Sequence, residues 1–277
     1  MSKIKFSKIL NRQKHQITDG FSAYDFRYSD FDPETDPIIS LTHFFMSEPT
    51  FPPHPHAGFS AITYMLEHSK NGFNNRDSLG DVSKINPGDL HWTMAGRGIM
   101  HEEVPQIRGV PAEGFQIFIN LKKTNKSLPA RAFHVSREEA PVFKGPQIQV
   151  KVVSGVYENM NAVIQAPETP QILDVFVGGA ANFQILPRRN GLIYVYQGSI
   201  QTDEFGLLGQ NQAIAWNNDG AETHLRFTES TNGKFVLLSG EPTGEPIVSR
   251  GPFIMNDLES LKDAERRFRS GEMGRLV

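Results

Sequence analysis

Residues 90–104 read LHWTMAGRGIMHEEV, two short apolar runs separated by a glycine-rich segment. The runs at 90–94 and 99–104 are rich in β-prone side chains, and the AGRG between them is typical of a turn. This stretch predicts two short strands joined by a turn. Residues two apart on a strand share a face, so His101 and Glu103 point the same way.

The same pattern continues on both sides of this stretch. Other β-prone runs occur at 61–66 and 115–121, and a turn cluster, NPGD, occupies 86–89. After about residue 148 the chain repeats the pattern in IQVKVVSG, ILDVFVGG, ANFQILP, GLIYVYQG, QAIAWNN, THLRF and KFVLLSG. Many short strands at such spacing favour sandwiches or barrels. We therefore predict an all-β protein.

The two halves of the chain carry a weak internal repeat. TYMLEH at 63–68 aligns with IYVYQG at 193–198, and a separate ungapped alignment of 90–104 onto 213–227 sets His101 against His224. Two stacked antiparallel β-barrels would explain the repeat. With the boundary in the loop near 141–146, the predicted domains are residues 1–145 and residues 146–277.

One segment departs from the strand pattern. Residues 256–269 read NDLESLKDAERRFR, with Asn256 as a candidate N-cap and apolar residues at Leu258, Leu261 and Phe268. Gly271 provides a stop signal. We predict a short C-terminal helix over about 256–270.

The composition excludes several classes of protein. A net charge of −3 gives no basic surface for direct nucleic-acid binding, and no apolar run is long enough to span a membrane. The chain has no cysteine, so a metal would have to be bound by histidine and carboxylate. The basic N-terminus lacks the apolar segment of a signal peptide, so we expect a cytoplasmic protein.

Two pairs of polar residues have the spacing of potential metal ligands. His54 and His56 are two apart, as are His101 and Glu103, so each pair shares one face of its strand. If the two strands are neighbours, four donors converge on one point. Three imidazoles and a carboxylate suit Fe, Mn, Ni, Cu or Zn as the divalent ion, and chemistry alone does not choose among them. Each residue taken singly could instead be a structural or surface side chain, and Glu102 is expected to face solvent.

The other histidines lack such pairing. Surface or structural roles are expected for His15, His43, His68 and His134. His91 is expected to point outward if Trp92 points inward. His224 is the counterpart of His101, but the positions matching the other ligands are Gln184, Leu186 and Arg226. A second metal site is therefore not expected.

Several motifs together resemble the pirin family, metal-binding bicupins of the cupin superfamily. They are HPHAGF at 54–59, TY at 63–64, RDSLG at 76–80, NPGDL at 86–90, WTMAGRGI at 92–99 followed by His101 and Glu103, and GPFIMN at 251–256. The resemblance implies two cupin-type antiparallel β-barrels with one ion, iron foremost and Mn, Ni, Cu, Co or Zn as alternatives. It also implies His54, His56, His101 and Glu103 as the ligands, all in the N-terminal barrel.

Three positions depart from the family pattern. Ser60 stands where the wider cupin motif has glutamate, so Glu103 must supply the carboxylate. Ala57 replaces a common arginine, and Asn75 replaces a frequent histidine. None of these removes a predicted ligand, but they can alter the hydrogen bonding around the ion.

The resemblance implies two alternative functions. Some pirin-like proteins resemble quercetin 2,3-dioxygenases, which open flavonols with O2. On this hypothesis Glu103 is catalytic, accepting the proton of the substrate's 3-hydroxyl. Other members are non-enzymatic redox sensors that bind a transcription regulator or a metabolic enzyme, and a third alternative is a structural ion. The partner is thus a small aromatic molecule such as a flavonol, or another protein, and the chain is expected to be a monomer.

An aromatic substrate would need an apolar pocket beside the ion. We predict that Phe45, Phe51, Trp92 and Phe115 line it, with ordinary core packing as the alternative for each.

Overall fold

The computed structural model describes residues 4–220, 222–230 and 232–276, and it is built mainly of strands. The prediction of an all-β fold with one C-terminal helix is confirmed. The strands of the first half are β1 (Lys5–Phe6), β2 (Leu10–Asn11), β3 (His15–Thr18), β4 (Phe21–Arg27), β5 (Ile38–Met46), β6 (His54–His56), β7 (Phe59–Met65), β8 (Phe73–Asp77), β9 (Val82–Ile85), β10 (Leu90–Met94), β11 (Ile99–Pro105), β12 (Ala112–Asn120) and β13 (Arg131–Val135).

The second half continues the same pattern and adds the helix. Its elements are β14 (Val142–Lys144), β15 (Ile148–Ser154), β16 (Val156–Tyr157), β17 (Met160–Asn161), β18 (Gln171–Val177), β19 (Ala181–Ile185), β20 (Arg189–Gln197), β21 (Ser199–Thr202), β22 (Gly206–Gly209), β23 (Gln212–Asn218), β24 (Thr223–Ser230), β25 (Gly233–Gly240), β26 (Val248–Arg250), β27 (Phe253–Met255) and α1 (Leu258–Arg269). A single 3₁₀ turn occupies Tyr28–Asp30 among the described residues.

The chain folds into two compact units whose segments are interleaved in sequence. The histidine-bearing unit comprises Lys14–Asp25, Ile39–Arg137 and Thr243–Val277, and the second unit comprises the remaining segments. The interleaving arises because β1 and β2 pair with β23, whereas β27 and α1 pack beside Ala57. The predicted domain boundary near residue 145 stays a prediction. The ends of the two predicted domains, residues 1–3 and 277, lie outside the described part.

The histidine-bearing unit is a sandwich of two sheets. The larger has the order β13-β10-β7-β12-β5-β4-β3, and the smaller has the order β6-β11-β8-β9. Apolar side chains from both sheets meet between them, as the stacked rings of Phe44 and Phe73 do at 5.2 Å. The predicted barrels are therefore two-layer sandwiches whose sheets remain separate.

The second unit has the same plan. A larger sheet of β1, β2, β14, β15, β18, β20, β23 and β25 packs on a smaller sheet of order β19-β24-β21-β22. Alternate residues of both sheets enter one core, which includes Val150, Leu173, Phe183, Phe227 and Phe235.

The N-cap of helix α1 lies one residue later than predicted. Asp257, not Asn256, is the N-cap, and its carboxylate accepts a hydrogen bond from the Ser260 amide. The helix ends where predicted, with Gly271 in the left-handed region at φ +78°. No helix among the described residues combines the length and apolarity that a membrane crossing requires.

Candidate metal centre

Two neighbouring strands bring three of the predicted ligands together. His54 and His56 lie on β6, and β6 pairs antiparallel with β11 so that His101 stands opposite His54. Side chains directly opposite each other share a face. One ring nitrogen from each of His54, His56 and His101 lies within 4.8 Å of the others, and the Nε2 atoms of His54 and His101 are 3.1 Å apart.

The three imidazoles are held in the neutral form that binds metals. His54 Nδ1 lies 3.0 Å from the Pro52 carbonyl, to which it donates, so its Nε2 presents a lone pair to the cluster. Burial lowers the pKa of His54, lowers that of His56 to about 3 and lowers that of His101 well below its ordinary value. Three neutral nitrogens facing one point fit a divalent ion that accepts imidazole ligands.

Glu103 lies beside this cluster but not within it. Its carboxylate is held by Thr63 on the facing sheet, whose Oγ1 lies 2.8 Å and 3.0 Å from the two carboxylate oxygens. Burial raises the pKa of Glu103 to about 7, against the hydrogen bond from Thr63, which lowers it. A carboxyl group in this state can exchange a proton near neutral pH. Glu102, on the other face of β11, forms an ion pair with Arg76 at 2.7 Å.

An apolar cavity of about 410 Å³ opens onto the histidines and Glu103. Its wall is mostly aromatic and aliphatic, consisting of Ile17, Phe21, Phe44, Met46, Phe51, Phe73 and Phe118 with the polar residues Asp25, Thr42 and Gln116 and the segment Gly251–Pro252. The volume lies in the range of small-molecule sites. All of these residues belong to the histidine-bearing unit.

Of the four aromatics predicted for this pocket, Phe51 lines the cavity and three lie elsewhere. Phe115 stands opposite Tyr64, one residue out of phase with the inward Gln116, and its ring packs 5.0 Å from His43. Phe45 likewise follows the inward Phe44, and Trp92 packs edge-on against Phe133 at 6.0 Å. The prediction rested on apolar character, whereas the alternation of side chains along each strand decides which of them face the cavity.

His91 points between the sheets, opposite to the outward direction expected from the sequence. It stands opposite Thr63, which contacts Glu103, so His91 points between the sheets and Trp92 points away. His91 is fully buried, and neither of its ring nitrogens has a hydrogen-bond partner within the described part of the chain. Burial lowers its pKa to about 4.

The remaining histidines have structural or surface positions. His43 and His68 both contact the carboxylate of Glu113, at 3.0 Å and 3.3 Å. His15 contacts Asp25, and His134 lies 3.6 Å from Asp89. His224 is exposed on β24. Among the described residues, the three-histidine group is the one cluster of potential metal ligands.

Comparison with known families agrees with this architecture. The family model described as Pirin matches residues 4–119, and the one described as Pirin C-terminal cupin domain matches residues 172–274. Rat pirin is 32% identical over 244 residues, which cover 86% of this chain and 83% of that protein. A Pseudomonas aeruginosa protein, named provisionally as a quercetin 2,3-dioxygenase, is 32% identical over 253 residues, covering 85% and 86%.

Two solved structures share the fold. Quercetin 2,3-dioxygenase from Acinetobacter baumannii superposes with a TM-score of 0.86 at 24% identity, covering 99% of both chains. An Escherichia coli pirin determined in complex with nickel(II) superposes with a TM-score of 0.63 at 17% identity, covering 87% of this chain and 99% of that one.

Proposed function

The chain belongs to the pirin family, and from this premise we propose that it is a metal-dependent dioxygenase that opens flavonol-like aromatic substrates with O2. The observation that carries the proposal is the junction of the three-histidine cluster, Glu103 and an apolar cavity. The names of the Pseudomonas and Acinetobacter relatives support the same reaction class. An open cavity beside the histidines also favours catalysis over the sensor alternative, which requires no such space.

The proposed ligands are His54, His56, His101 and Glu103, around one divalent ion. Iron is the first candidate, and the nickel(II) complex of the E. coli pirin supports a site of broad selectivity. When bound, the ion would supply a Lewis acid for the 3-hydroxyl and 4-keto oxygens of a flavonol and a centre for reaction with O2. A small movement of the Glu103 carboxylate toward the histidines, with its hydrogen bond from Thr63 kept, would complete the set.

The protein's own groups would act on the substrate in two ways. Glu103, as the carboxylate beside the ion, would accept the proton of the 3-hydroxyl and so leave the electron-rich flavonolate. The aromatic wall, including Phe51 and Phe118, would hold the planar rings and exclude water from the reacting carbon. Thr63 would keep the carboxylate oriented through its contacts with both oxygens.

The test loads the metal-free protein with Fe, Mn, Ni, Cu or Co in turn and follows quercetin absorbance and O2 consumption together. We expect at least one metal to support turnover, and Glu103→Gln to lower the rate by about 10²-fold or more. Full metal occupancy without quercetin loss for any of the five metals would exclude the dioxygenase function.

A further inference from the structure

The cavity has a polar end that the metal centre does not use. Asp25 on β4 and Thr42 on β5 both line it, within a wall that, apart from Gln116 and the metal centre, is mostly aromatic and aliphatic. Thr42 Oγ1 donates to one carboxylate oxygen of Asp25, and His15 Nε2 lies 3.1 Å from the other. Two neighbours on separate strands therefore fix the direction of this carboxylate.

The sheet order puts this polar end far from the histidines. Thr63, which contacts Glu103, lies on β7, and the sheet then runs through β12 and β5 to Asp25 on β4. Three strand spacings of about 4.8 Å separate the two strands by roughly 14 Å. A molecule that touches both ends must therefore be elongated, as a flavonol is, with its fused rings at one end and its pendant ring at the other.

Asp25 retains the capacity to bind a further donor. A carboxylate offers about four lone-pair positions, and Thr42 and His15 use one on each oxygen. Because about two thirds of the side chain is buried and the cavity wall is mostly apolar, a donor reaching it from within the cavity would have less competition from water than at an open surface. A phenolic hydroxyl suits this position, since its ring can pack on the aromatic wall while its O–H meets the carboxylate.

We propose that Asp25 is a specificity-determining residue that accepts a hydrogen bond from a phenolic hydroxyl on the substrate's pendant ring, far from the metal. This rests on the proposed flavonol function, which it deepens. It assigns the substrate class as flavonols hydroxylated on that ring. Thr42 and His15 are then positioning residues that act through Asp25.

The experiment compares two flavonols that differ only in this feature. Quercetin carries two hydroxyls on its pendant ring, and galangin carries none there. Their dissociation constants are measured from flavonol absorbance on the nickel(II)-loaded protein without O2, for the unaltered chain, for Asp25→Asn and for Asp19→Asn. Asp19 is an exposed acid in the same β3–β4 hairpin and serves as the matched control.

We expect Asp25→Asn to weaken quercetin binding about tenfold, because a hydrogen bond to a charged acceptor is about twice as strong as a neutral one. Galangin binding should keep its value, which also reports that the cavity is intact, and Asp19→Asn should change neither. Equal effects on the two flavonols, or no effect on quercetin, would overturn the role assigned to Asp25 but not the proposed function. Failure of the unaltered protein to bind either flavonol would overturn the proposed function and this inference with it.

Discussion

Replacing Thr63 with valine tests how Glu103 is coupled to the metal centre. The substitution keeps the shape of the side chain and removes the hydroxyl that lies 2.8 Å and 3.0 Å from the carboxylate oxygens. A hydrogen bond to a buried charged group is worth about 1.5–3 kcal/mol, and one pKa unit corresponds to about 1.4 kcal/mol. The pKa of Glu103, about 7 in the unaltered protein, should therefore rise to about 8 or above in Thr63→Val.

This change should appear as a pH-dependent loss of metal affinity. Near neutral pH the carboxyl group is about half ionised in the unaltered protein but mostly protonated in the variant, so metal binding must displace a proton. We expect Thr63→Val to bind nickel(II) about tenfold more weakly at about pH 7 and to approach the unaltered protein at about pH 9. Competition with a chromophoric chelator at both pH values measures this ratio.

The matched control is Thr42→Val. Thr42 faces the same cavity but donates to Asp25 rather than to Glu103, so its removal should leave the pH dependence of metal affinity unchanged. If Thr63→Val has the affinity of the unaltered protein at both pH values, Glu103 is not a metal ligand held by Thr63. An equal loss at both pH values would also contradict the argument, because it would reflect general damage to the site.

Two further predictions concern stability. Because the pKa of His91 is lowered to about 4, the unfolded metal-free chain binds a proton between about pH 6.5 and 4 that the folded chain does not. The free energy of unfolding should therefore fall by about 2 kcal/mol from pH 7 to pH 5. In urea unfolding, the free energy of His91→Leu should depend less on pH. Parallel pH profiles for the variant and the unaltered protein would contradict this prediction. Lys126 is buried, and its ammonium donates to the carbonyls of Gly58 and Ile254 at 2.8 Å and 2.9 Å. Lys126→Met should cost about 3 kcal/mol in urea unfolding, whereas the exposed Lys123→Met should cost little; equal effects would refute the role of these contacts.

Much of the architecture could be predicted because successive side chains of a strand point to opposite faces, and this period of two is visible in the sequence. The pair His54 and His56 and the pair His101 and Glu103 each share a face, and the register of β6 against β11 brings the three histidines together as expected. The register itself depends on pairing between segments distant in sequence. Spacing alone therefore did not reveal that Thr63 on the facing sheet contacts the Glu103 carboxylate beside the cluster.

The cavity wall was predicted less well for the same reason. Phe115 and Phe45 were chosen for their apolar character, although the inward residues are their neighbours Gln116 and Phe44. Carrying the face of Thr63 across to the adjacent strands would have identified Gln116 and His91, which stand opposite it. The polar end at Asp25 had no sequence signal of its own, since it depends on β4 lying at the far side of the same sheet.

Metal analysis of the purified protein tests the central claim most directly. The unaltered chain, loaded and then freed of excess metal, should retain one divalent ion per molecule, whereas His101→Ala should retain little and the control His134→Ala should retain one. Loss of the ion in His101→Ala alone would support a centre built on the three-histidine cluster. An unaltered protein that retains no ion, or a His101→Ala variant that retains a full equivalent, would contradict it.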